Sequence, residues 1–310
     1  MISVKNLTKQ YGSFTAVDQI SFTVAEGSIF GFVGPNGAGK TTTLRILATL
    51  LPKTAGEAEI DGRSIFADPR RTRKLIGYMP DFFGVYDDLR VSEYLEFYGE
   101  AGGVPLKEVR QSIPSLLELV GLAEQRNSFV NHLSRGMKQR LCLARTLIHQ
   151  PRVLILDEPA SGLDPRARIE LRHILQELQR MGQTIIISSH ILSELAQLCS
   201  HIGIINNGKL PVCGPISEVL AFIAGDTLIE IGLLGSLDEA KLWLLEQQGI
   251  KNVALNQKGT LEVVFAGSKE DQAQLLQMLA ARFPVYYFNP TGNNLEELFM
   301  KITEEAADEN

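Results

Sequence analysis

Short apolar runs alternate with amphipathic stretches along most of this chain. Ile29-Phe30-Gly31-Phe32-Val33, Arg152-Val153-Leu154-Ile155-Leu156 and Thr184-Ile185-Ile186-Ile187-Ser188 are compact and rich in aromatic or β-branched residues. Runs of this kind predict buried strands of a parallel sheet covered on both faces. Helical patterns follow them at Thr42 to Leu47, Arg166 to Met181 and Leu192 to Cys199, which is the order of an α/β protein. Residues 1–30 read as short strands: Ser3 to Lys9 alternates loosely, while Ala16 to Val24 alternates well and ends in the turn signal Ala25-Glu26-Gly27. A mostly helical insert runs from about Tyr86 to Gln150. In it Val91 to Tyr98 has a Ser-x-x-acid-like start and Ile113 to Gly121 a glycine stop. After Gly214-Pro215 the character changes. From about Asp226 the pattern predicts strand, helix, strand, then helix, strand, helix, with the clearest strands at Thr227 to Ile231, Leu261 to Phe265 and Val285 to Phe288. No internal repeat is visible.

The run Gly34-Pro35-Asn36-Gly37-Ala38-Gly39-Lys40-Thr41 stands between the first buried strand and a helix. It matches G-x-x-x-x-G-K-[ST] in the strand–loop–helix setting that a phosphate-binding loop requires. Glycines let the backbone wrap an anion and aim N–H groups inward, and the helix N-terminus adds partial positive charge. Lys40 is then placed on β- and γ-phosphates and the Thr41 hydroxyl on Mg²⁺.

Three further groups sit where strands end. Asp157 and Glu158 close the run Leu154-Ile155-Leu156, so Asp157 suits Mg²⁺ and Glu158 suits a proton acceptor for attacking water. His190 follows Ile186-Ile187-Ser188-Ser189, at the end of a strand that faces the ligand crevice of a doubly wound sheet. Ser134 is a good N-cap for the helix that opens Arg135-Gly136-Met137-Lys138. With Gly136 it forms a second anion site, or simply a capped helix, and the residues alone leave both readings open. Tyr11, before Gly12, is either a stacking surface for adenine or an edge-strand tyrosine.

Composition narrows the classes. The chain has 310 residues with 45% hydrophobic and 21% charged content, enough for one large domain and a small one. A formal net charge of −6 disfavours a general nucleic-acid surface. Cys142, Cys199 and Cys213 form no C-x-x-C pair, which points to a reducing, cytosolic setting without a zinc site. The first residues lack signal-peptide character, and no apolar run approaches the roughly 18–20 residues that span a bilayer.

Taken together, these motifs resemble the nucleotide-binding subunit of an ATP-binding cassette transporter, of the drug and polysaccharide exporter type, over residues 1–215. The resemblance implies a P-loop NTPase with a RecA-like core, an N-terminal antiparallel β subdomain and an inserted helical subdomain at about 86–150. Residues 216–310 would form a small α/β accessory domain with an acidic tail. It implies that Tyr11 stacks on adenine. Gly34, Asn36, Gly37, Gly39, Lys40, Thr41 and Thr42 would bind ATP. Ser134 and Gly136 would belong to the signature motif, and Asp164, in Ser161-Gly162-Leu163-Asp164, to the D-loop. Thr41, Asp81 and Asp157 would serve Mg²⁺, with Glu158 and His190 catalytic. Two departures are plain: Asp81 stands where the family usually has glutamine, and Arg135 and Met137 replace a glycine and the glutamine of the signature. Asn294 to Lys301 is similar to the accessory tail of such exporters. The resemblance further implies a head-to-tail homodimer around two ATP molecules, a separate transmembrane permease as partner, and a place on the cytoplasmic face of the membrane. The alternatives are a soluble cassette ATPase acting on nucleic acid or ribosomes, and a non-hydrolysing regulatory subunit.

Overall fold

The structure is a computed structural model that describes residues 1–81, 84, 86, 88–223, 227–256 and 259–291. Two compact units divide at Ile216/Ser217.

In the first unit, strands β1 (Ile2–Tyr11) and β2 (Phe14–Val24) form an antiparallel hairpin. They run to 10 and 11 residues, slightly beyond the stretches Ser3 to Lys9 and Ala16 to Val24 that the sequence pattern marks. Register shifts after Val4, Leu7 and Lys9, with positive φ at Asn6 and Gln19, break the alternation while the pairing continues. Strand β3 (Ile29–Val33) leads into the phosphate loop and helix α1 (Lys40–Leu47). The chain then returns to the first sheet as β4 (Ala55–Ile60) and β5 (Arg63–Ser64), giving the order β2-β1-β4-β5.

Helix α2 (Pro69–Leu75) feeds β6 (Ile76–Met79). The insert follows as α3 (Val91–Ala101), α4 (Leu106–Leu119) and α5 (Arg135–Leu147). The start of α3 lies one residue earlier than Ser92: Arg90 is the N-cap, and its N–H donates to the Glu93 carboxylate at 2.8 Å. The core sheet is completed by β7 (Val153–Leu156), α6 (Pro165–Arg180), β8 (Thr184–Ser189), α7 (Leu192–Ala196), β9 (His201–Asn206) and β10 (Lys209–Pro215). Its order is β10-β9-β3-β8-β7-β6, parallel except for β10 against β9.

One core joins both sheets to α1. Phe22 of the antiparallel sheet meets Phe30 and Phe32 of β3 with ring centroids 5.1 and 4.9 Å apart. Leu44 and Ile46 of α1 and Val153, Ile155 and Ile186 of the parallel strands close around them, all buried. The register sets Val33 beside Ser189, Leu156 beside Ile187 and Met79 beside Leu156. The residues that follow those strands therefore leave the sheet along one edge, where ligands of open parallel sheets bind.

Helix α8 (Ile216–Ile223) crosses the unit boundary. The second unit continues as β11 (Thr227–Leu233), α9 (Leu237–Leu245), β12 (Ile250–Leu255), β13 (Leu261–Phe265), α10 (Lys269–Arg282) and β14 (Val285–Thr291). This is a β-α-β-β-α-β unit with antiparallel order β12-β13-β11-β14. Ile229, Ile231, Val263, Phe265, Leu244, Leu275 and Leu279 form its core. Strand β12 was not legible because only Val253 of its six residues is fully buried, so its apolar signal is thin. The tail from Asn294 to Lys301 and the predicted last helix lie outside the described residues.

Candidate functional site

The phosphate loop is shaped by close approaches that only glycine allows. Gly39 caps α1 in the left-handed region at φ 110°, and a Cβ there would stand 2.6 Å from the Ala16 carbonyl. Gly34 lies flat against the backbone of Ile205. Asn36 and Gly37 are exposed at the loop's tip, and Thr41 and Thr42 are half-buried in the first turn of α1. Lys40 is 6% exposed and turned into the loop, where its ammonium donates to the Gly34 carbonyl at 2.6 Å and the Pro35 carbonyl at 3.2 Å. The same nitrogen meets Glu158 Oε1 at 3.2 Å.

Glu158 is the focus of the site. Its backbone sits in the left-handed region at φ 47°, a conformation that costs a non-glycine residue about 1–2 kcal/mol. The Ser188 hydroxyl holds it there by accepting the Glu158 N–H at 2.9 Å. Glu158 Oε2 lies 2.9 Å from His190 Nδ1, so the carboxylate is flanked by an ammonium and an imidazole.

Asp157 is 1% exposed. Its Oδ1 accepts from Ser188 Oγ at 2.8 Å and from Thr41 Oγ1 at 3.2 Å, while its Oδ2 is buried without a partner. Burial pushes its carboxyl above the usual carboxylate range, and the negative charge of nearby Asp81 adds to the effect. A buried, unpaired carboxylate oxygen beside a hydroxyl is a donor set that fits a hard cation such as Mg²⁺. Among the described residues no three His, Cys, Asp or Glu side chains form a metal cluster of their own.

Ser188 was missed by sequence reasoning, although two hydroxyls closing an isoleucine run are a signal that buried polar groups need partners there. It ties Asp157 and Glu158 to β8. Ser188→Ala is expected to lower any turnover that Asp157 and Glu158 support about 10–100-fold, as loss of an orienting partner does. Measuring kcat while circular dichroism shows an unchanged fold checks this.

The remaining predicted residues fall into two groups. Tyr11 is 48% exposed at the β1–β2 tip, with the Lys9 ammonium 4.9 Å from its ring centre. Phe14, its cross-strand neighbour, is a second exposed aromatic there. Ser134 caps α5 by accepting the Met137 N–H at 3.3 Å, and Asp164 caps α6 by accepting the Ala167 N–H at 2.9 Å. Gly136 lies against Ala167. Among the described contacts, Ser134, Gly136 and Asp164 serve these helix starts and none reaches the phosphate loop of the same chain.

Comparison with known proteins bears on this arrangement. The family model described as ABC transporter matches residues 17–161. A model described as AAA domain, putative AbiEii toxin, Type IV TA system matches residues 130–196. The chain is 39% identical to the Nod factor export ATP-binding protein I of Ralstonia nicotianae, covering 74% of this chain and 72% of that protein. It is 31% identical to the linearmycin resistance ATP-binding protein LnrL of Bacillus subtilis, covering 98% of each. The chain belongs to the ABC transporter ATP-binding protein family. A solved ATP-binding subunit of an ABC transporter superposes with a TM-score of 0.64 at 29% identity, over 72% of this chain and 92% of that one. The ABC assignment extends past the core, since the model described as ATP-binding protein DrrA1-3-like, C-terminal domain, matches residues 214–303. As an ABC subunit the chain binds nucleotide, and no helix among its described residues is long and apolar enough to cross a membrane.

Proposed function

We propose that this chain hydrolyses ATP to drive a separate membrane permease of an exporter, acting as a head-to-tail homodimer. The observation that carries the reading is the convergence of Lys40, Glu158 and His190 on one point, beside the unpaired oxygen of Asp157. Lys40 is held by two loop carbonyls and by Glu158, so triphosphate entering the loop competes for its ammonium. Once Lys40 turns to the phosphates, Glu158 keeps only His190 as a partner and is free to take a proton from water. Thr41 and Asp157 would hold Mg²⁺, which supplies positive charge to the phosphate oxygens when bound. The backbone N–H groups of the loop and the N-terminus of α1 add to that stabilisation.

The dimer follows from what the single chain leaves undone. Ser134 and Gly136 start an anion-seeking helix whose described contacts do not reach the loop of the same chain, so a second copy is the natural donor of that helix to the γ-phosphate. Outward transport accords with the words export and resistance in the names of the two relatives. The acidic net charge of −6 weighs against a nucleic-acid target.

The helical insert offers a surface for the permease. Tyr86 and Phe97, 53% and 46% exposed, meet edge-to-face at 5.4 Å and lie 6.4 and 5.1 Å from Tyr98, whose ring also takes the Arg145 guanidinium at 4.8 Å. Exposed aromatics on a rigid base are typical anchors of an interface. Phe97→Asp is expected to abolish co-purification with the permease while leaving the ATP turnover of the free chain within about twofold, because a surface change away from the site costs little. Pull-down of the membrane protein together with phosphate release tests both halves. Retained capture would remove this surface from the proposal.

A further inference from the structure

We propose that Arg135 couples the two nucleotide sites of the dimer, by fastening the signature helix to the turn that carries Glu158. The inference rests on the composite-site reading above and assigns a task to a residue that departs from the family's signature.

Arg135 is the first residue of α5, next to the Ser134 cap. Its Nη2 donates to the Ser161 carbonyl at 3.1 Å. The guanidinium lies flat on Gly162, where any side chain would overlap it. Ser161 in turn donates its N–H to the Glu158 carbonyl at 3.0 Å, closing a tight turn from Glu158 to Ser161. Arg135 is thus one peptide unit away from a hydrogen bond to the candidate base. A second tie runs parallel one helical turn on. Gln139 is 4% exposed, and its amide donates to the Pro159 carbonyl at 2.6 Å. On the far side of the loop, Arg140 pairs with Glu170 of α6 at 3.4 Å.

These ties join two groups that serve different ATP molecules in a head-to-tail dimer. The start of α5 faces the phosphate held by the partner's loop, whereas Glu158 acts on the ATP held by its own. A γ-phosphate that draws the α5 N-terminus toward it pulls Arg135, and Arg135 pulls the Ser161 carbonyl. Glu158 is the element that responds, because its left-handed backbone depends on what surrounds it. Gln139 is buried and keeps the helix body attached, so Arg135, exposed at the very end, is the member of the pair free to report on the phosphate. Glycine at position 135 would break this link, and lysine would keep a donor while losing the planar fork.

ATP turnover of the full chain is measured against ATP concentration for the wild type, Arg135→Ala, Arg135→Lys, Gly162→Ala and the double variant Arg135→Ala/Gly162→Ala. The wild type is expected to be cooperative, with a Hill coefficient bounded by its two sites. Arg135→Ala is expected to fall to a Hill coefficient of about 1, with half-saturating ATP raised about fivefold. Arg135→Lys lies between them. Gly162→Ala displaces the guanidinium and also strains a backbone held at φ 65°, so its Hill coefficient matches that of Arg135→Ala, and the double variant lowers that coefficient no further even where kcat falls again. Equal Hill coefficients in wild type and Arg135→Ala, or additive effects on the Hill coefficient in the double variant, would overturn the proposal. ATP-driven dimerisation of Glu158→Gln judges the underlying reading separately. Dimers with unchanged cooperativity remove only the role of Arg135, and the absence of dimers removes the composite site as well.

Discussion

Glu158→Gln is expected to lower ATP turnover by about 10²–10⁴-fold, the usual worth of a positioned proton acceptor, and to leave a stable ATP-loaded dimer. The substitution keeps the size of the side chain and an oxygen that can still accept from His190, so the left-handed backbone at position 158 has no reason to relax. What it removes is the carboxylate that meets Lys40 at 3.2 Å. The lysine then has one fewer partner holding it away from phosphate, and nucleotide binding is kept or strengthened while proton transfer is lost. Single-turnover phosphate release reads the first effect, and light scattering with and without ATP and Mg²⁺ reads the second. Normal hydrolysis would remove Glu158 as the base. A variant that stays monomeric with ATP at high protein concentration would remove the shared site.

The parts of this site that were legible in the sequence are those whose chemistry is local. Gly34 and Gly39 mark the loop because backbone closeness and a positive φ exclude other residues there, and that demand is written within eight positions. Asp157, Glu158 and His190 announce themselves as polar residues ending apolar strands. The sheet then brings them to one edge by register alone. What stayed hidden depends on contacts between distant segments. Ser188 acts 31 residues from Asp157, Gln139 acts 20 residues from Pro159, and Arg135 acts 26 residues from Ser161. None of these pairs has a spacing that local periodicity records. The alternation of β1 is loose for the opposite reason: its bulges break a pattern that the strand itself does not need. The spacing of the cysteines says only that no C-x-x-C pair exists, and the burial of two of them is hidden from it as well. Cys142 and Cys199 are free and buried, and burial pushes the Cys142 thiol up to about 12.

Asp157→Asn is expected to abolish ATP turnover and at the same time raise the melting temperature of the nucleotide-free chain. Ser188 and Thr41 satisfy only Oδ1, and Oδ2 is buried without a hydrogen-bond partner, although the Tyr78 hydroxyl lies near the carboxyl. Burial holds this carboxyl above its ordinary range, so the folded chain carries its charge at a cost. An amide keeps the oxygen that accepts from both hydroxyls and trades an unpaired charge for an unpaired N–H, which is the cheaper of the two to bury. The gain is about 1 kcal/mol, or roughly 2–4 °C for a unit of this size. Mg²⁺ with ATP reverses the order. The wild type is stabilised by its ligand through mass action, and the variant, with its charged oxygen gone, gains much less. Thermal melts of both forms in EDTA and in excess Mg²⁺ with ATP therefore cross. A variant less stable than the wild type in EDTA would show that the charge is already compensated inside the folded chain. A variant equally stabilised by Mg²⁺ and ATP would show that Asp157 does not hold the cation. The crossing is what a site kept for chemistry at the expense of its own fold requires.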